Sequence, residues 1–207
     1  MLKERILEKA GAKFYQYGIK NVSMNDLASS LGISKRTLYE NFQDKEDILR
    51  QYLENKRDKN VAKIKELINK SANIIEVFIY FIDCQQKVEM PSVKFYQDIE
   101  KYYPTIHQEI LNSMESNKSY MKSALQQGIK DGFIREGLNV EVAAFLVEES
   151  NHTYLRASYI KKPTFSFQDL FFTMMINFIR GISTNKGIEI IDKYLENSKN
   201  ENNQNNI

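Results

Sequence analysis

Cysteine is nearly absent from this sequence: Cys84 stands alone among 207 residues. One thiol excludes an intrachain disulfide and any cysteine-based zinc site. Because Cys84 lies in an apolar run, it reads as a small buried hydrophobe rather than a redox sensor. Histidine is equally scarce. His107 and His152 stand apart, in neither an HxxxH nor an HExxH arrangement, so no metal is expected. The eight glycines fall mostly near expected helix ends and leave little material for a phosphate cradle. No GxSxG, GxxxxGK[ST], GxGxxG or CxxC occurs, which argues against an enzyme and against a cofactor. Three prolines in the whole chain leave room for long helices. No apolar run reaches the roughly 18–20 residues of a membrane span, and the N-terminus lacks an apolar leader with a cleavage site. A cytoplasmic protein with no membrane partner is expected. Neither sign of charge dominates, with 29 Lys and Arg against 27 Asp and Glu. The distribution says more. Residues 1–60 hold 12 basic residues against 9 acidic, and the remainder 17 against 18. That modest excess suits a compact phosphate-facing patch better than a basic tail.

What the chain does have is concentrated in residues 23–45, SMNDLASSLGISKRTLYENFQDK. Ser23 can cap a helix, and Asp26 completes a capping box. Met24, Leu27, Ala28 and Leu31 follow at i, i+3, i+4 and i+7, one apolar stripe at helical period. Gly32 stands where the chain must leave that helix, Ile33 reads as a buried plug, and Ser34 can cap a second helix. Lys35 and Arg36 then occupy its first turn, where cations oppose the helix dipole by roughly 0.3–1 kcal/mol each. A nearby polyanion removes the conflict. In a helix-turn-helix, these are the residues presented to the major groove of double-stranded DNA.

The segment from Ile6 to Leu49 resembles the N-terminal DNA-binding domain of the TetR family of one-component bacterial regulators. The matching features are an apolar first helix ending near Tyr17-Gly18, then Val22-Ser23, Asp26-Leu27-Ala28 and Leu31-Gly32-Ile33-Ser34. Thr37-Leu38-Tyr39, Asn41-Phe42 and Asp44-Lys45-Glu46 complete the set. The resemblance implies roles. Thr37, Tyr39 and Asn41 sit where the family's recognition helix and its exit meet DNA, with the Tyr39 phenol on a phosphate. Lys35 and Arg36 are the candidates for base edges, Arg36 preferably for guanine O6 and N7. Ser23 and Asn25 are positioned for backbone contacts, as is Lys45. Leu38 and Phe42 read as core. Glu40 departs from family habit: a carboxylate there repels phosphate unless it faces away or accepts from a cytosine amine.

Downstream, punctuation divides the chain into helices and no alternating strand pattern of useful length appears, so the fold class is all-α. A connector helix is expected over 44–70, its apolar face fading in the middle. Further helices are expected over 74–90 up to Pro91, 92–103, 105–131, 140–160 and 166–184. The last two carry caps at Asn139 and Ser166. A shorter helix over 187–197 precedes an Asn-rich tail, 198–207, that reads as disordered. The domains are thus a reading head over 1–47, a helical effector-binding and dimerisation domain over 48–197, and the tail. Small residues in 140–160, among them Ala143, Ala144, Ser150, Ala157 and Ser158, allow close helix approach. In the resembled family the corresponding pair, 140–160 with 166–184, packs on its two-fold mate. That implies a homodimer and a palindromic operator.

A small-molecule effector is also expected, its identity not encoded. Phe78, Phe81, Tyr102, Tyr120 and Tyr154 can line a pocket for a flat or lipophilic molecule, with His107 and Asn151 as polar handles. The same aromatics also suit ordinary helical packing. The resulting expectation is a repressor released from its operator by a ligand. Its rival is a small-molecule-binding protein of the same fold that has lost sequence-specific DNA binding. The presence of Lys35, Arg36, Tyr39 and Lys45 counts against the rival, because none is required for folding.

Overall fold

Ser23, Ser34 and Asp44 each start a helix by taking up backbone N–H groups that the first turn leaves without partners. The computed structural model describes residues 2–69, 72–86, 91–156 and 165–204 and contains ten α-helices among them. They are α1 (Leu2–Tyr17), α2 (Met24–Leu31), α3 (Lys35–Asn41), α4 (Lys45–Asn69), α5 (Ile74–Gln86), α6 (Val93–Tyr102), α7 (Pro104–Lys130), α8 (Val140–Arg156), α9 (Phe167–Ile182) and α10 (Asn185–Gln204). The expected all-α class is what the chain adopts. The described residues form no strand, only an isolated antiparallel bridge between Ile134 and Ser183. No described helix is long and apolar enough to cross a membrane.

The chain divides into two compact units, residues 1–63 with 89–112 and residues 64–88 with 113–207. In the first, α1, α2, α3 and the start of α4 enclose a core of Phe14, Ile19, Leu27, Leu38, Phe42 and Leu49, to which α6 adds Phe95 and Ile99. Leu38 and Phe42 are buried as their spacing predicts. Ile33, expected to be buried, is only half covered and packs on the rim of this core. The reason is local: Gly32 takes φ +66°, and the left-handed turn sets Ile33 just before the capping serine.

Beside this core lies a cluster of phenols with one lysine. Tyr15 meets Tyr52 and Phe95 edge to face, at 5.6 and 4.8 Å between ring centres, and Phe95 meets Tyr96 at 5.3 Å. The Lys56 ammonium sits 4.7 Å above the Tyr15 ring and donates to its hydroxyl at 3.1 Å. Thus the face of α4 that fades to Lys56 in the sequence still packs, through a lysine stem and a cation–π contact.

In the second unit, α5, α9 and α10 pack on one another and α8 packs on α9. Phe78, Ile82, Phe171, Met175, Ile179 and Ile191 are buried between them. Gly128 permits a close approach, since a Cβ there would lie 2.6 Å from Ile74 and 2.9 Å from Ile134. The Ser166 cap forms a full capping box with Asp169, and Asn139 Oδ1 accepts from Val142 N at 3.1 Å. Cys84, expected to be buried, is half-exposed on α5. The tail expected to be disordered from Ser198 instead continues α10 to Gln204. Extending an existing helix adds one hydrogen bond per residue without a new nucleus, and Ser198 Oγ donates to Tyr194 O at 2.9 Å. Expectations for 70, 87–90, 157–160 and 205–207 lie outside the described residues.

Burial pushes the Tyr15 phenol far up, and Tyr96 and Tyr103 up to about 12. Their folded values exceed the unfolded value near 10, so the stability they confer is complete below pH 10 and is lost as pH rises through about 12. Lys56, which burial pushes down, acts in the opposite sense and only below its ordinary value. The melting temperature is therefore expected to fall between pH 10 and 12. Tyr96→Phe should reduce that fall by about 1–3 kcal/mol in unfolding free energy, and an unchanged slope in a pH series of thermal melts would refute the assignment.

Candidate DNA-reading surface

The reading surface is built on two short capped helices. Ser23 accepts from Asp26 N at 3.1 Å while Asp26 Oδ2 accepts from Ser23 N at 2.9 Å, the reciprocal box that the sequence predicts. The Ser23 hydroxyl also donates to Asp26 Oδ2 at 2.6 Å. Its single proton is thereby used inside the box, and these bonds hold the Asp26 carboxyl below its ordinary range. Ser23 is thus a capping residue whose hydroxyl is engaged within the box. Asn25, on the exposed first turn of α2, keeps its amide outward.

On α3, Leu38 faces the core while Lys35, Arg36, Tyr39 and Glu40 are exposed. Ser34 caps the helix by accepting from Thr37 N at 2.9 Å, and the two hydroxyls of Ser34 and Thr37 share one hydrogen bond of 2.8 Å. Whichever donates, the other proton remains available to a ligand. Asn41 gives one amide hydrogen to Thr37 O at 2.8 Å and keeps the rest of its amide for other partners. The Lys35 ammonium lies 5.8 Å from the Tyr39 ring centre, and Arg36 Nε donates to Glu40 Oε1 at 3.0 Å. Each cation of the first turn is therefore matched with a residue one turn on. The exposed Tyr39 phenol, 47% accessible, points its polar end away from the core that Leu38 fills.

Lys45, expected at a phosphate, makes contacts within the protein. Its ammonium donates to Ile19 O at 2.7 Å and Val22 O at 2.8 Å, with Lys20 O at 3.5 Å. Half-buried, it is pushed below its ordinary value by desolvation, which nearby Asp98 and Asp26 partly offset. It closes the turn between α1 and α2 and fixes that turn to the start of α4. Asp98 on α6 completes the clamp, accepting from Lys20 N at 2.8 Å with its side chain 5% exposed. Neither Asp98 nor α6 stands out in the sequence as part of this surface. The signal available was slight, an acid that falls on the face of α6 shared by Phe95 and Ile99.

The candidate effector residues are divided between the two units. Phe78 is buried and Phe81 packs edge to face on Phe171 at 5.7 Å, both inside the second unit. Tyr120, in that unit, is 77% exposed. Tyr102 and His107 belong to the first, where the Tyr102 hydroxyl accepts from Lys20 Nζ at 2.9 Å and its ring sits under the same ammonium. The side chains of Asn151 and Tyr154 lie outside the described residues. Among the described residues no group of three metal-ligating side chains comes together.

Two capped helices joined by a left-handed glycine turn, with cations and a tyrosine displayed on the second, define a helix-turn-helix transcriptional regulator. Residues 6–52 match the family model of the bacterial regulatory proteins, tetR family. Residues 6–52 thus carry the N-terminal domain of the TetR family. Among its relatives is the transcriptional repressor KstR2 of Mycobacterium tuberculosis, 22% identical over 170 residues that span 73% of this chain and 78% of that protein. The helix-turn-helix regulator YhgD of Bacillus subtilis is 27% identical over 150 residues, 70% of this chain and 78% of the relative. Among solved structures, KstR2 superposes with a TM-score of 0.63 at 19% identity, covering 89% of this chain and 96% of that one. A transcriptional regulator from Saccharomonospora viridis in complex with choline gives 0.71 at 20%, covering 89% and 98%.

If Asp98 holds the α1–α2 turn, Asp98→Ala leaves the Lys20 N–H without its acceptor at a cost of about 1–3 kcal/mol. Amide exchange at Lys20 should accelerate in that variant while exchange in the second unit stays as it was. Equal protection of Lys20 in both proteins would contradict the clamp.

Proposed function

We propose that the protein is a repressor that binds a palindromic operator as a homodimer and is released by a small-molecule effector. The observation that carries the DNA reading is the outer face of α3. Lys35, Arg36 and Tyr39 are exposed together on a helix whose other face is fixed by Leu38. Cations in the first turn of a helix oppose its dipole unless an anion lies in front of them. In this reading Arg36 addresses a guanine, Lys35 a neighbouring base edge or phosphate, and Tyr39, Asn25, Thr37 and Asn41 the backbone. Lys45 and Ser23 hold the helices that present them. The repressor sign follows the M. tuberculosis relative.

The dimer reading rests on α8 and α9. Val142, Phe145 and Leu146 leave about half of their surfaces exposed on α8. Val142 and Leu146 line a groove of about 650 Å³ together with Asn177, Phe178 and Gly181 of α9. Several large apolar side chains in one exposed patch suit burial against a second copy. Two reading helices related by a two-fold axis require half-sites one or more helical turns apart. The effector is assigned to the second unit, and α4 and α7, each of which contributes to both units, are two of the covalent routes between them. A differential affinity of only about 1–3 kcal/mol would lower operator occupancy roughly 5- to 150-fold.

Selection from random duplexes is expected to return a palindrome whose affinity falls steeply with salt. Tyr39→Phe should weaken every duplex alike, whereas Arg36→Ala should relax the motif at one position in each half-site. No enriched motif would sink the operator reading. Leu146→Asp should convert the dimer to a monomer in analytical ultracentrifugation, and a retained dimer would move the interface elsewhere.

A further inference from the structure

Glu40 is the one acid on the exposed face of α3, and its position so close to the expected phosphates needs a reason. Its carboxylate takes the Nε–H of Arg36 at 3.0 Å, four residues back along the helix. We infer that Glu40 is a positioning residue that orients the Arg36 guanidinium for a guanine, and that it raises base discrimination at the expense of general DNA affinity. The inference rests on the base-contact role proposed above for Arg36.

The geometry of the guanidinium carries the argument. Its five N–H donors form a planar fork, and the Nη1/Nη2 edge matches guanine O6 and N7. Glu40 engages the Nε position, so the pairing leaves that edge for a base. The Arg36 side chain is 89% exposed and forms an ion pair with Glu40. A long side chain with no restraint samples many rotamers and loses them on binding. Restrained through Nε, it enters the groove already oriented. The neighbouring ridge shows the same arrangement, with Lys35 set against the Tyr39 ring at the same spacing. Glu40 is itself 57% exposed, so its charge also reaches passing phosphates. Repulsion there weakens contacts that carry no sequence information, while a correctly placed guanine repays it through the oriented fork.

Two variants separate orientation from charge. Glu40→Ala removes both, whereas Glu40→Gln removes the charge and keeps an amide oxygen able to accept from Nε. Affinities are measured for the selected operator, for versions with each other base at the position that Arg36→Ala relaxes, and for a random duplex. Both variants should bind the random duplex about two- to threefold more tightly. Glu40→Ala should lose about fivefold or more of the guanine preference, and Glu40→Gln should keep most of it. Full guanine preference in Glu40→Ala, or equal loss in both variants, would overturn the positioning role while leaving the Arg36 reading intact. An Arg36→Ala protein with an unchanged motif would overturn the base contact and the positioning role together.

Discussion

Between Gly18 and Val22 the chain reverses with Ile19 and Val22 buried, and the polar backbone of that turn has to be satisfied away from bulk water. One ammonium and one carboxylate do this. Lys45 reaches the carbonyls of Ile19 and Val22 from the start of α4, and Asp98 takes the amide of Lys20 from α6. Neither group is free to leave, because withdrawing it strands buried backbone groups at a cost of about 1–3 kcal/mol each. The direction of α2, and through the Gly32 turn that of α3, therefore depends on where α4 and α6 stand. The reading helix is held by parts of the chain more than fifty residues apart.

From that clamp the display on α3 follows. Leu38 and Phe42 fix one face in the core, Ser34 fixes the start, and the residues left outside are two cations, a tyrosine and an acid. Taken singly, each exposed contact among them is weak, since surface ion pairs contribute roughly 0–1 kcal/mol. Their worth lies in orientation. Lys35 against Tyr39 and Arg36 against Glu40 limit the rotamers of two exposed side chains. A surface organised in this way meets DNA with part of its ordering cost already met.

Much of this was legible in the residues. Ser23 with Asp26, Gly32, Ser34 and the Leu27/Leu38/Phe42 pattern defined two helices, their turn and their buried faces, because caps and periodicity are local signals. The helix starts at Asn139 and Ser166 were equally local. What escaped were relations between distant segments. No spacing reveals that Lys45 turns inward to carbonyls 23–26 residues back, or that Asp98 on a separate helix meets Lys20. A basic residue at a helix start reads the same whether it faces phosphate or backbone. Nor does a linear boundary after residue 47 express a unit that gathers 1–63 with 89–112. Aromatic counts were least informative, since Phe78 and Phe81 pack against their own unit and Tyr102 pairs with Lys20. The Asn-rich end misled because composition ignores the helix already running into it.

The central claim is that the outer face of α3 is the surface that meets DNA. Covalent labelling of lysine and tyrosine side chains, with and without the selected duplex, tests it directly. Tyr39 and Tyr120 are both open in the free protein, at 47% and 77% of their surfaces, and Lys35 is exposed beside Tyr39. The account predicts that bound DNA shields Lys35 and Tyr39 and leaves Tyr120 labelled as before. Undiminished labelling of Lys35 and Tyr39 in the saturated complex would contradict it.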